Sequence, residues 1–342
     1  MMRRMAVVAT LLLPACTFQR VVPSSSSFAA ADDHAAHMSA ADLAAPRLMA
    51  SGSGGELQDR PGLPASARSA AARLAATPRH GEWVRIAWEP GSRDSLMAWI
   101  VYPKSSEKAP VVVVVHEIFG LSSWVRAVAD QAAADGFIAI APDFLSRVRG
   151  GPSSVELPSD TARGLIRGVD AAERNRAIVA AANYAMMQPA AAPRYAVIGY
   201  CWGGTTTFMH AVHGGVKGFS GGVAFYGLPY MTGGSPATAT APAVPARIDA
   251  DSLAKIKVPV MLLNGSKDAR IAAAMPQLDS IMKALGKNYT GVNYEGAVHG
   301  FLRAQDDPKA TRDEAEEAAN LAATKDGWPR TIAFLRKNLG VK

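Results

Sequence analysis

Residues 111–115 are five consecutive valines. β-Branched side chains favour extended backbone and pack well on a pleated surface. A run without polar alternation has no side to turn toward water, so it suits a strand buried on both faces, as in parallel sheets. Parallel strands need crossover connections, normally helices, and the flanking sequence supplies them. Residues 83–88 and 96–102 read as two strands of a hairpin, joined by the turn-rich segment 89–94. Residues 124–135 have helical spacing and end at Gly136, and 137–141 form another buried strand stopped by Pro142. Further on, 161–188, 205–213 and 272–285 read as helices, and 195–199, 222–226, 258–263 and 291–294 as strands. Residues 229–250 form a Gly/Pro/Ala/Thr loop, and 314–338 close the chain as a helix interrupted near Gly327-Trp328-Pro329. The expected class is α/β: a mostly parallel central sheet with helices on both faces.

The N-terminal part is different in kind. Arg3 and Arg4 precede an apolar run over residues 5–15, about half the length that crosses a bilayer. A basic start, a short apolar stretch and small residues make a secretory signal over residues 1–30. Two cleavage readings stay open. Leu13-Pro14-Ala15-Cys16 resembles a bacterial lipobox, with Cys16 lipidated, and Ala29-Ala30-Ala31 resembles an ordinary signal-peptidase site. The lipobox fits the spacing better. Either way the expectation is an exported protein, periplasmic or lipid-anchored to the bacterial envelope, that meets a membrane only through such an anchor. Residues 31–78 read as a flexible tether, although 65–76 could form a weak helix, and 79–342 as the folded domain. His34, His37 and Met38 lack the further ligands a metal site needs and read as tail residues.

Composition narrows the function. The chain has 36 Lys+Arg against 29 Asp+Glu, a net +7, but no run of basic residues forms a nucleic-acid footprint. Removing residues 1–15 takes away two arginines and no acid, leaving 34 against 29, or +5. The 2 cysteines, Cys16 and Cys201, exclude a disulfide scaffold and a Cys-rich zinc site. No P-loop or dinucleotide glycine pattern follows a strand, so no cofactor is expected. His210 and His213 share a helix face but lack a matching carboxylate, so they read as structural and no metal is expected.

In parallel sheets, ligands sit at the carboxyl ends of the strands. After the strand at 195–199 comes Tyr200-Cys201-Trp202-Gly203-Gly204 and then a helix. Gly199-x-Cys201-x-Gly203 is a nucleophile elbow with Cys in place of Ser. Small flanking residues let the strand turn sharply into the helix, whose unpaired N–H groups and dipole favour the nucleophilic thiolate. The strand at 258–263 is followed by a loop holding Asp268, and the next strand by a loop holding His299. Nucleophile, acid, base is the chain order of α/β-hydrolases.

With these residues in place, the sequence resembles the dienelactone hydrolase (carboxymethylenebutenolidase) family of the α/β-hydrolase superfamily. The resemblance runs from about Trp83 to Leu339. It rests on His116-Glu117-Ile118-Phe119-Gly120, Pro142-Asp143, Gly199-Tyr200-Cys201-Trp202-Gly203-Gly204, the Asp268 and His299 loops, and Trp328 onward. It implies an α/β-hydrolase fold, with Cys201 as nucleophile, His299 as base, Asp268 as its orienting partner, and Glu117 pairing with the resting thiol. Backbone N–H groups of Ile118 and Trp202 are the expected oxyanion hole. The resemblance also implies that Arg303 binds a substrate carboxylate. The family's second such arginine has no clear counterpart, Arg163 and Arg167 lying in the right stretch but a different local sequence. Tyr102, Trp124, Phe144 and Tyr226 are candidates to line the site.

The expected partner is a small ester or lactone, with or without a carboxylate. Thiolate leaves a tetrahedral intermediate far more readily than an amine or simple alkoxide, so enol-lactones and activated esters are favoured over amides. The competing readings are a broader esterase or thioesterase on the same fold, and a non-catalytic exported binding protein.

Overall fold

The computed structural model describes residues 60–89, 91–233, 245–305 and 313–341. The signal and cleavage readings around Cys16 and Ala31, and the histidines at 34 and 37, lie outside the described residues. Eight strands form one sheet in the order β1-β2-β4-β3-β5-β6-β9-β10. These are β1 (Gly81–Ala87), β2 (Ser95–Val101), β3 (Ala109–Val115), β4 (Ile138–Pro142), β5 (Ala191–Tyr200), β6 (Phe219–Phe225), β9 (Val260–Gly265) and β10 (Tyr289–Tyr294). The β1–β2 hairpin pairs antiparallel and β2 meets β4 antiparallel, while every pairing from β4 to β10 is parallel. β3, β4 and β9 are buried along their whole lengths, so the valine run lies in a sheet centre covered on both sides.

Helices α1 (Ala70–Ala76), α2 (Ser123–Ala134), α3 (Ser159–Ile166), α4 (Ala171–Met186), α5 (Trp202–His213), α6 (Ala250–Leu253), α7 (Ala269–Ala284), α8 (Phe301–Ala304) and α9 (Glu314–Leu339) complete the described chain. α4 and α5 pack against one another over the sheet centre. α2 and α9 are tied by Trp328 Nε1–H, which donates to Asp135 at 3.0 Å. Asp170 and Asp313 cap α4 and α9 by accepting from Glu173 N and Glu316 N at 2.8 Å each.

Several local expectations change. The stretch 161–188 is two helices, because Gly168 ends one and the Asp170 cap starts the next. The last helix runs unbroken through Pro329. Packing of Trp328, Thr331 and Ile332 against the core, with Thr331 Oγ1 donating back to Gly327 O at 2.8 Å, outweighs the hydrogen bond that proline forfeits. The loop at 229–250 contains a two-stranded ribbon, β7 (Met231–Thr232) with β8 (Arg247–Ile248), and residues 234–244 lie outside the described residues.

The expected tether is corrected over residues 60–78, while 31–59 lie outside the described residues. From residue 60 the chain lies on the domain rather than away from it. Ala65 and Ala70 are buried, and Arg73 donates to Leu63 O and Gln131. Trp124 Nε1–H donates to Ala65 O at 3.0 Å, Gln305 Nε2–H to Pro64 O at 2.8 Å, and Ala67 N–H to Arg303 O at 2.9 Å. Alanine and proline look featureless in sequence. Their small side chains let this backbone approach closely enough for those donors to reach its carbonyls.

Candidate active site

Cys201 stands between β5 and α5 with φ 56° and ψ −116°, a conformation that L-residues adopt only when the surroundings impose it. Its N–H donates to Phe225 O on the neighbouring strand at 3.0 Å, and its carbonyl accepts from Thr205 N at 3.1 Å. The elbow closes because a Cβ on Gly199 would overlap the Gly203 carbonyl, and one on Gly203 would overlap Val115 O and His116 O. Glycine therefore lets the start of α5 lie directly on the end of β3. That brings Trp202 N–H and Ile118 N–H, the expected oxyanion donors, to the same end of the sheet.

β9 runs through Asn264 and Gly265, two residues beyond the expected end, and Asp268 is the N-cap of α7. Its Oδ1 accepts from Ile271 N at 3.3 Å, while Oδ2 lies 2.5 Å from His299 Nδ1. His299 is buried, and its Nε2 has no hydrogen-bond partner of normal geometry. Burial alone would lower its proton affinity. The charges of Cys201 and Asp268 outweigh that and hold the imidazole well above its ordinary value. Asp268 and His299 are thus joined by a short contact, and Cys201 is among the groups whose charge acts on the imidazole.

Glu117 and Arg303 differ from expectation. Glu117 is paired with Arg303, Oε2 to Nε 3.2 Å. Arg303 was expected to await a substrate carboxylate, yet its guanidinium is buried against Glu117, with its carbon 5.3 Å from the Phe119 ring centre. The pairing follows from burial: a carboxylate and a guanidinium without water need each other. Burial raises the Glu117 pKa, with Arg303 and then His299 opposing the rise.

Of the aromatic candidates, Tyr226 lies at the site, its ring 4.9 Å from that of His299 and its backbone at φ 39°. Phe144 packs edge-on against His116 and Trp202, and Trp124 edge-on against Tyr200. Tyr102 does not belong with them; it stacks on His80 at the end of the hairpin. Arg163 pairs with Asp160 on its own helix, and Arg167 occupies the C-cap position of that helix. His210 binds Tyr195 OH at 2.9 Å and Asn175 at 2.8 Å, and burial pushes its pKa down to about 3, as a structural histidine. No group of three or more His, Cys, Asp or Glu among the described residues could hold a metal ion.

In the sequence Tyr200 and His116 stand out only as members of motifs, and Tyr226 as a candidate to line the site. Tyr200 and Tyr226 both have buried hydroxyls without a partner, and both titrate well above the usual tyrosine value through burial and then the charge of Glu117. Tyr200 could have been found from its place in the elbow. His116 could have been found beside Glu117, but only its contacts reveal what it does.

Comparison with known proteins bears on the family and the fold. Residues 96–339 match the model of the dienelactone hydrolase family. A Salmonella typhimurium protein provisionally named carboxymethylenebutenolidase is 28% identical over 255 residues, 74% of this chain and 87% of its own. A protein of Escherichia coli K12 with the same provisional name is 26% identical over 255 residues, 74% of this chain and 86% of its own. A Klebsiella pneumoniae crystal structure, provisionally titled dienelactone hydrolase, superposes with TM-score 0.57 at 24% identity, covering 75% of this chain and 99% of that one. The structure of a dienelactone hydrolase-like promiscuous phosphotriesterase from metagenomic libraries gives TM-score 0.54 at 21% identity, covering 73% and 98%. These two share the fold. With the family model spanning most of the folded chain, this protein belongs to the dienelactone hydrolase family and is a hydrolase of the α/β-hydrolase superfamily.

Proposed function

We propose that this hydrolase cleaves lactones or activated carboxylic esters through Cys201, His299 and Asp268 by way of a thioester. The observation that carries the reading is the 2.5 Å contact of His299 Nδ1 with Asp268, beside a cysteine held at φ 56° on a strand-to-helix turn. The Cys201 thiol gives its proton to His299 Nε2, and the sulfur attacks the carbonyl carbon. Charge gathers on the carbonyl oxygen, which the N–H groups of Ile118 and Trp202 receive. The C–O bond to the leaving group breaks, and His299 returns the proton to that oxygen. A water then gives a proton to His299 and attacks the thioester carbon, releasing the acid and restoring the thiol.

Glu117 and Arg303 extend the reading to a substrate carboxylate. A carboxylate that reaches Arg303 competes with Glu117 for the guanidinium. Glu117, deprived of that charge, becomes a stronger base. A broader esterase or thioesterase is the second reading, favoured by the engagement of Arg303 with Glu117, which leaves no preformed carboxylate site.

The test is turnover of an aryl ester and an enol-lactone panel by the wild type and Cys201→Ala. Loss of turnover in the variant is expected, and equal rates would refute the mechanism. Efficient peptide hydrolysis without enol-lactone or aryl-ester cleavage would refute the substrate class. Export and lipidation at Cys16 belong to the same proposal. They are tested by whether the full-length protein fractionates with the envelope and whether Cys16→Ser releases it.

A further inference from the structure

A trans peptide directs its C=O and N–H to opposite sides. Whatever holds the Glu117 carbonyl therefore aims the Ile118 N–H. Two donors hold it: Gly120 N–H at 3.2 Å, closing a turn, and His116 Nδ1 at 2.6 Å. The other ring nitrogen, His116 Nε2, lies 3.2 Å from Phe144 N. A backbone amide can only donate, so Nε2 is the bare acceptor and Nδ1 carries the hydrogen given to Glu117 O. Main-chain groups on both sides thus select one neutral tautomer. Burial disfavours a charged ring, and the acting charges, Asp143 and Arg149, work in opposite directions on it.

The same ring lies over Trp202. The His116 and Trp202 rings stack at 5.8 Å and 12°, Phe144 meets both edge-on, and the Arg174 guanidinium carbon is 4.5 Å from the Trp202 ring centre. Trp202 carries the second expected oxyanion N–H. One side chain therefore touches the supports of both donors while remaining outside the Cys201–Asp268–His299 set.

We propose that His116 is a positioning residue for the oxyanion site. Its neutral Nδ1–H imidazole clamps the Glu117 carbonyl so that Ile118 N–H faces the reacting carbonyl oxygen, and its stack on Trp202 sets the second donor. The inference rests on the Cys201 mechanism proposed above and names what pre-organises it. The donors meet full negative charge only in the tetrahedral states, so loss of aim should lower kcat and leave KM nearly unchanged.

The test compares the full-length wild type with His116→Phe, His116→Asn and Cys201→Ala. Phenylalanine keeps the stacked ring without either nitrogen, and asparagine restores an N–H near the place of Nδ1. Three quantities are read: kcat and KM on an aryl ester, the rate of Cys201 alkylation by iodoacetamide, and affinity for a small aldehyde. The thiol proton passes to His299 and the sulfur adds to the aldehyde carbon, giving a tetrahedral hemithioacetal whose oxygen carries the negative charge that the oxyanion donors meet. Alkylation does not need them.

The expected result for His116→Phe is a kcat lower by about 10- to 100-fold, below the full loss of a donor. Aldehyde affinity should fall in parallel, with KM and alkylation within about twofold, the pattern of a transition-state-only loss. Most of the loss should return in His116→Asn. An unchanged kcat, or an equal fall in all three quantities, overturns the inference. Nitrogen-15 spectra of the wild-type ring give a readout independent of any variant's folding: protonated Nδ1 and bare Nε2 are expected, and the reverse tautomer or an imidazolium at pH 7 overturns it. Loss of turnover in Cys201→Ala with full kcat in His116→Phe defeats this inference alone. Full turnover in Cys201→Ala defeats the mechanism and the inference together.

Discussion

The Asp268 carboxylate divides its two oxygens between two tasks: Oδ1 caps α7 through Ile271 N at 3.3 Å, and Oδ2 holds His299 Nδ1 at 2.5 Å. The helix start and the imidazole are thus oriented by one side chain whose rotamer is constrained from both ends. This explains how a base on a loop after a short edge strand keeps a defined direction.

Substitutions at Asp268 should separate the two tasks. Asp268→Ala loses the cap as well as the orienting charge, and should lower stability by about 1 kcal/mol and kcat by about 10⁴-fold. Asp268→Asn can still cap α7, so stability should recover while kcat stays low. Urea denaturation and steady-state kinetics on the same preparations check this. Equal stability of the two variants would deny the capping role.

The raised His299 pKa makes a pH prediction. The folded protein holds this proton more tightly than the unfolded chain, whose histidine titrates near about 6.5. The contribution to stability is fully present below that value and is lost as pH rises through the folded value. Cys201→Ala removes one of the influences that raise it, so the stability advantage of the wild type attributable to this proton should hold below about pH 6.5 and shrink above it, toward the folded value. Denaturation midpoints of both proteins across pH 5–9, where unfolded histidine passes from about fully charged to neutral, measure it. A gap that widens with pH would contradict the sign.

Removing one partner of a buried ion pair leaves the other uncompensated. Arg303→Met should destabilise the protein by about 3 kcal/mol, and Glu117→Gln with Arg303→Met should recover part of that loss. A double-mutant cycle by thermal denaturation gives the coupling. A double variant less stable than Arg303→Met would show that the pair is not what holds these side chains.

Gly203→Ala places a methyl group against Val115 O and His116 O, main-chain atoms that cannot turn aside. The cost should exceed about 2 kcal/mol through overpacking. The elbow should also move away from Ile118, giving a less active as well as less stable protein. A Tm shift smaller than that for an exposed Gly→Ala change would contradict the close approach.

Much of the fold was legible in residue order. The valine run, the paired signals of the β1–β2 hairpin and the Asp and Gly punctuation locate nearly every strand of the sheet, because period and branching are local properties. The order of Cys201, Asp268 and His299 after successive strands likewise points to one end of the sheet. Two helical stretches depart from the pattern of the sequence, where local preference and tertiary packing disagree. Gly168 and Asp170 split a run of good helix formers, and Trp328 packing carries a helix through Pro329.

By itself, the sequence determined the sheet class, the elbow and the residue types that could do acyl chemistry, since these follow from short-range pattern and from side-chain chemistry. Tertiary structure decided who pairs with whom. Glu117 meets Arg303, His116 meets both Glu117 O and Phe144 N, and the Ala/Pro-rich stretch from residue 60 binds Trp124, Gln305 and the Arg303 backbone. Such pairings join residues as far as 241 positions apart. A buried charge or donor takes the partner that the fold brings within reach, and no local pattern encodes that choice.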